Sequence, residues 1–193
     1  EIFWNPERSE LNLAGLPPEN QRARLTSKLC HHKYMVLSRI VNGQRQPQMV
    51  LCGSTNFTEN GVYRQANLVH VLEMPDIAAQ YLGLFEVLFN GADTRATRRY
   101  INQHNPLDAQ SPLIASLSPR SGLTDLSAVV TAVQNARRDV LFCTVFKLYE
   151  PLLEALYGAP NDGVLRYGLQ NTRSRITGVH TDRTASFSAA AFL

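Results

Sequence analysis

Apolar positions along this chain recur in two rhythms, and the change between them marks its elements. Tyr34 to Ile40 and Met49 to Cys52 are short apolar runs of strand length. Val41-Asn42-Gly43 and the polar stretch Gln44 to Gln48 separate them, which predicts a β-hairpin with a polar turn. Asn67 to Glu73, with Leu68, Val69, Val71 and Leu72, is too continuous for a half-exposed edge and predicts a third, buried strand. After Pro75 the period lengthens. Ile77, Tyr81, Leu84, Phe85, Leu88 and Phe89 recur at three- and four-residue spacing, Asp76 lies in the first turn, and Gly91 follows the last apolar position. That is a helix whose stripe packs on a sheet.

The second half is punctuated differently. Residues 92 to 122 contain Pro106, Pro112 and Pro119 and predict a connection with one short strand near Leu113 to Leu117. Arg95, Arg98 and Arg99 with Tyr100 suit the solvated face and C-terminal end of a helix. Thr124-Asp125 can cap a helix to Arg137, with Leu126, Val129, Val130 and Val133 on one side. Asp139 to Phe146 predicts a buried strand, Tyr149 to Tyr157 a short helix, and Val164 to Leu169 another strand. Strand, helix and strand with short links imply a parallel pair. The first thirty residues predict irregular structure, and the tail from Thr184 is small and apolar. The class is α/β.

Composition narrows this picture modestly. At 193 residues the chain can hold one substantial domain or two small ones, and 44% apolar residues suffice for a core. No apolar run is long enough for a transmembrane segment. A net charge of +3 admits an anionic substrate without requiring nucleic acid. Cys30, Cys52 and Cys143 are odd in number and form no C-x-x-C pair, which argues against a disulfide framework or a metal site. The chain starts with Glu and shows no signal-peptide pattern, so it reads as a piece of something longer or a processed product, and its compartment stays open. Phe3 and Trp4 are expected in a core.

The chemistry concentrates at Cys30-His31-His32-Lys33-Tyr34 and at Gly53-Ser54-Thr55-Asn56-Phe57. Residues two apart on a strand share a face, so His31 projects with Lys33, and Ser54 with Asn56. An imidazole, an ammonium, a hydroxyl and a carboxamide form a set suited to attacking and holding a phosphate. His32 is expected to pack or hydrogen-bond rather than react. His180, in Gly178-Val179-His180-Thr181-Asp182-Arg183, suits a structural role.

These two motifs resemble the signature of the phospholipase D superfamily, H-x-K-x4-D followed by G-S-x-N-F. The resemblance implies a mixed β-sheet flanked by helices, with residues 1–92 as the second half of one repeat. Residues 93–193 would be a linker and the first half of the next repeat, ending before its own motif. It implies phosphodiester cleavage without metal or other cofactor, through a phosphohistidine. His31 would be nucleophile or general acid, with Lys33, Asn56 and Ser54 on the phosphate oxygens. Gln65 lies near the position of the family's histidine-orienting residue. The motif's Asp falls on Ser38, on the opposite strand face from His31 and Lys33. No second H-x-K is present, since His70, His104 and His180 are followed two residues on by Leu72, Pro106 and Asp182. The other half-site would come from a missing segment or a homodimer partner. A phospholipid and a nucleic acid both remain open as substrate, and a catalytically inactive phosphate-binding or scaffold module is the alternative.

Overall fold

The computed structural model describes residues 15–22, 31–108, 111–122, 124–144, 148–157, 162–170, 179–180 and 183–184. Phe3, Trp4, Cys30 and most of the tail lie outside them. Among the described residues the protein is mixed α/β: five α-helices, an antiparallel three-strand sheet, a parallel two-strand sheet and a short antiparallel pair of two-residue strands. It forms two units, Glu1–Arg120 and Ser121–Leu193. Residues 93–120, read from sequence as the start of the linker, belong to the first.

The first unit is built on the predicted hairpin. Strand β1 (Tyr34–Val41) pairs antiparallel with β2 (Gln44–Gly53), which pairs antiparallel with β3 (Val69–Leu72). The turn is two residues, Asn42 and Gly43, at φ 52° and 75°. That conformation matches the right-handed twist of the strands, so the ladder closes immediately after it. Gln44 to Gln48 therefore lie in β2, where exposed polar side chains suit a strand running past the core, rather than in the turn. The register shifts between Leu37 and Ser38, opposite Pro47, which has no N–H to give the ladder.

Helix α1 (Glu59–Tyr63) connects β2 to β3, and α2 (Pro75–Phe89) follows β3 directly. Val50, Ile77 and Ala78 are buried and form one core cluster, with Tyr34, Val36, Cys52, Leu72 and Tyr81 packed around it. Burial first, and then the neighbouring Cys52 thiol, push the Tyr81 phenol's pKa well up. Helix α3 (Thr94–His104), in place of the expected connection, is capped by the Asp93 side chain on Ala96 N at 2.7 Å. Arg95, Arg98 and Arg99 thus sit in its first two turns, not at its C-terminal end. Ile101 reaches Leu84 and Leu117 in a second cluster, joined to the first through Tyr34 and Tyr81. No strand forms at Leu113 to Leu117. That segment is held by side-chain bonds instead, from Asn105 and Arg120.

The covered face of the three-stranded sheet carries Tyr34, Val36, Val50, Cys52 and Leu72. The other face leaves Met35, Leu37, Val69 and Val71 exposed. Strand β3, expected to be buried, is an edge of the sheet among the described residues, and three of its four residues are exposed.

In the second unit β4 (Asp139–Thr144) pairs parallel with β5 (Leu165–Gln170), as the strand–helix–strand order predicts. Helices α4 (Ser127–Gln134) and α5 (Glu150–Tyr157) pack on one another. The expected Thr124 cap is absent: α4 starts after Leu126 without a side-chain cap, and Thr124 bonds Ser121 O instead. Strand β4 is half-buried rather than fully buried, with Leu141 70% exposed. Phe142 lies over Gly168, where a Cβ would come within 2.1 Å of the ring. Val179–His180 pairs with Arg183–Thr184. Among the described residues no helix is long and apolar enough to cross a membrane.

Candidate functional site

The hairpin register is what unites the two motifs. Zipped from the Asn42-Gly43 turn and shifted by one residue between Leu37 and Ser38, it sets Tyr34 opposite Cys52, and the ladder runs one step further, with Gly53 N donating to Lys33 O at 3.2 Å. Residues far apart in sequence thereby meet at one end of the sheet. Strand alternation puts Lys33 on the face of Met35 and Leu37, away from α2. His31 is exposed, and Lys33 Nζ donates to its carbonyl at 2.8 Å.

Ser54 continues the ladder on the other side. Its N–H donates to Leu68 O at 2.9 Å, and its Oγ accepts from Leu68 N at 2.9 Å. The hydroxyl proton goes to Asn67 Oδ1 at 3.1 Å. A hydroxyl has one proton, so in this arrangement Ser54 meets a further ligand as an acceptor, or after turning from Asn67. Asn67 in turn donates from Nδ2 to Gly61 O at 2.8 Å and to Gln65 Oε1 at 3.3 Å. Gln65 thus faces Asn67, and Asn67 is the side chain on Ser54. Sequence reading named Gln65 and missed Asn67; the available signal was its place one residue before the apolar run of β3, where an amide can bond both neighbouring loops.

Asn56 is exposed in the turn before α1. That helix is capped by Thr58, whose Oγ1 accepts from Gly61 N at 3.1 Å, so neither Ser54 nor Asn56 serves as its cap. Gly61 is buried against the Asn56 main chain, and a Cβ there would fall 2.2 Å from Asn56 O. The Asn56 backbone is therefore set by a close helix approach that a larger residue would forbid.

His32 turns inward. Its Nε2 lies 3.0 Å from Ser118 O, and its ring stands edge-on to Tyr34 with centroids 6.3 Å apart. This is the packing and bonding role expected of it. Ser38 lies on the α2-facing side of β1, and its Oγ is buried with no hydrogen-bond partner among the described residues. Ser38→Ala is accordingly expected to leave stability unchanged or raise it by up to ~1 kcal/mol, since it deletes an unsatisfied polar atom. Urea unfolding measures this, and a loss above that size would reveal a partner for the hydroxyl.

An open cleft of about 600 Å³ lies in the first unit, lined among others by Leu16, Arg45, Phe85 and Phe89. None of the motif residues lines it; they stand on the surface. Among the described residues no three His, Cys, Asp or Glu side chains are grouped to hold a metal ion. Compared with models of protein families, with curated proteins and with solved structures, the chain matches none.

Proposed function

We propose that this chain supplies half of a phospholipase D-type active site that cleaves phosphodiesters without metal through a phosphohistidine. The observation that carries this reading is the ladder bond from Gly53 to Lys33, which sets the H-x-K segment beside the Gly53–Phe57 loop. A phosphodiester needs a nucleophile, an acid for the leaving alkoxide, and donors for the non-bridging oxygens. An imidazole of one half-site attacks phosphorus as the P–O bond to the alkoxide breaks. The imidazole of the other half-site protonates that alkoxide, and water then displaces the phosphoryl group from histidine. His31 performs one of these roles, Lys33 neutralises phosphate charge, and Asn56 donates its amide. Ser54 orders the loop through Leu68 and Asn67 and faces the phosphate beside them.

The exposure of His31, Ser54 and Asn56 supports a site completed by a second H-x-K segment, from further sequence or from a second copy. The finer architecture proposed with it is a phospholipase D-like sheet flanked by helices, cut across two repeats.

The test is hydrolysis of bis(p-nitrophenyl) phosphate by the full-length natural protein in EDTA. Turnover is expected to survive the chelator and to fall about a thousandfold or more in His31→Ala. Activity abolished by EDTA, or retained by the variant, would overturn the mechanism. One second reading has its own observation: the Ser54 proton is engaged by Asn67, and Ser38 occupies the position of the motif's carboxylate. A phosphate-binding module without turnover would bind tungstate, a phosphate mimic, yet leave the diester intact.

A further inference from the structure

Within the phosphodiesterase reading, we propose that His32 is a positioning residue that fixes His31 and Lys33. Ser118 O can only accept, so the 3.0 Å contact requires the proton on His32 Nε2. The carbonyl that receives it is not on a loose loop. Leu117 N donates to Asn105 Oδ1 at 3.0 Å, and Asn105 Nδ2 donates to Ala115 O at 2.9 Å. Arg120 Nε donates to Leu117 O at 3.0 Å, and its Nη2 to Asn105 O at 2.6 Å. Asn105 is 2% exposed and Leu117 4%, so both residues flanking this lattice are fixed in the core.

The His32 ring is held a second time, edge-on, by Tyr34, which packs against both core clusters. His31 and Lys33 are the main-chain neighbours of this doubly anchored ring. They precede β1, where the Gly53–Lys33 bond continues the ladder. The inward anchor therefore limits the swing of the two outward groups, and catalytic geometry is sensitive to displacements of about 1 Å.

The test compares the full-length protein with His32→Phe, which keeps a ring on Tyr34 but has no donor, and His32→Gln, whose amide nitrogen replaces Nε2. On bis(p-nitrophenyl) phosphate, His32→Phe is expected to lower kcat at least tenfold with KM changed less than twofold. His32→Gln is expected to recover to within about threefold of the parent. A fully active His32→Phe, or a His32→Gln as impaired as His32→Phe at unchanged melting temperature, overturns the proposal. If the parent does not turn over, the phosphodiesterase reading fails separately, and tungstate affinity replaces the rate: a fivefold loss in His32→Phe, restored in His32→Gln, retains the positioning role. Equal affinities, or no binding by the parent, overturn it. Should His32→Phe not fold, nitrogen-15 spectra of the parent's imidazoles decide: His32 must carry its proton on Nε2, and an Nδ1–H tautomer overturns the proposal.

Discussion

Gly53→Ala is expected to destabilise the protein by on the order of 3 kcal/mol and to abolish whatever chemistry its motif supports. A Cβ at residue 53 would lie 2.1 Å from Leu68 O, 2.9 Å from Val69 Cα and 3.0 Å from Leu68 C. All three are backbone atoms of the paired segment, so no rotamer change relieves the contact. Relief requires moving β3 away from β2. That breaks the pair of 2.9 Å bonds between Ser54 and Leu68 and drags Asn67 off the Ser54 hydroxyl. A control separates this clash from conformational strain. Gly43, at φ +75°, has nothing within 4 Å of its added Cβ, so Gly43→Ala should cost only about 1–2 kcal/mol. Urea denaturation of the two variants measures the difference. If they lose equal stability, the close approach of β3 does not control the loop.

The glycine of G-S-x-N-F is thus explained by crowding, whereas the sequence presented it only as part of a motif. The contrast holds through the molecule. The hairpin, α2 and the β4–β5 pair were legible because their signals are local: an Asn-Gly turn, a proline-started stripe at helical spacing, and strand-length apolar runs joined by a short helix. Helix α3 was lost to the three prolines of its neighbourhood, although Pro106, Pro112 and Pro119 all follow its end at His104. The reading of β3 failed differently. Apolar continuity reports what a segment can bury, not whether a neighbour covers it, and here Val69 and Val71 stay exposed.

Much the same division applies to the candidate site. Motif spacing and strand alternation grouped His31, Lys33, Ser54 and Asn56 as one candidate site. That Lys33 and Ser54 lie at one sheet end follows from the turn together with the register shift between Leu37 and Ser38, and only the turn was legible. That Asn67 accepts from the Ser54 hydroxyl was not read from the sequence, because it depends on which amide reaches Ser54 across the α1 connection. The inward role of His32 was expected, but its partner was not. Ser118 lies 86 positions away, on a segment that has no periodic pattern.

That segment yields the other large effect. Asn105→Ala is expected to cost about 3 kcal/mol, more than any exposed polar substitution in the first unit. Asn105 is 2% exposed, and its side chain makes bonds in four directions. It accepts from Leu117 N and from Arg120 Nη2, and donates to Ala115 O at 2.9 Å and Gln80 Oε1 at 2.5 Å. Removing it strands Leu117 N beside a core residue, where water does not reach, and an unsatisfied buried donor costs about 1–3 kcal/mol. Arg120 retains Leu117 O and the Asn105 carbonyl, so its share of the loss is smaller. Gln80→Ala deletes one bond from a half-buried side chain and should cost about 1 kcal/mol or less. Thermal or urea unfolding that finds Asn105→Ala within 1 kcal/mol of the parent would show that the lattice is dispensable. The site gives a second reading of the same variant. If Ser118 O is held for His32 by this lattice, Asn105→Ala and His32→Phe disturb one anchor, and together they should impair turnover little more than the worse of the two. Independent, multiplicative losses would instead mean that Asn105 acts on turnover by a route other than the Ser118 carbonyl that His32 bonds.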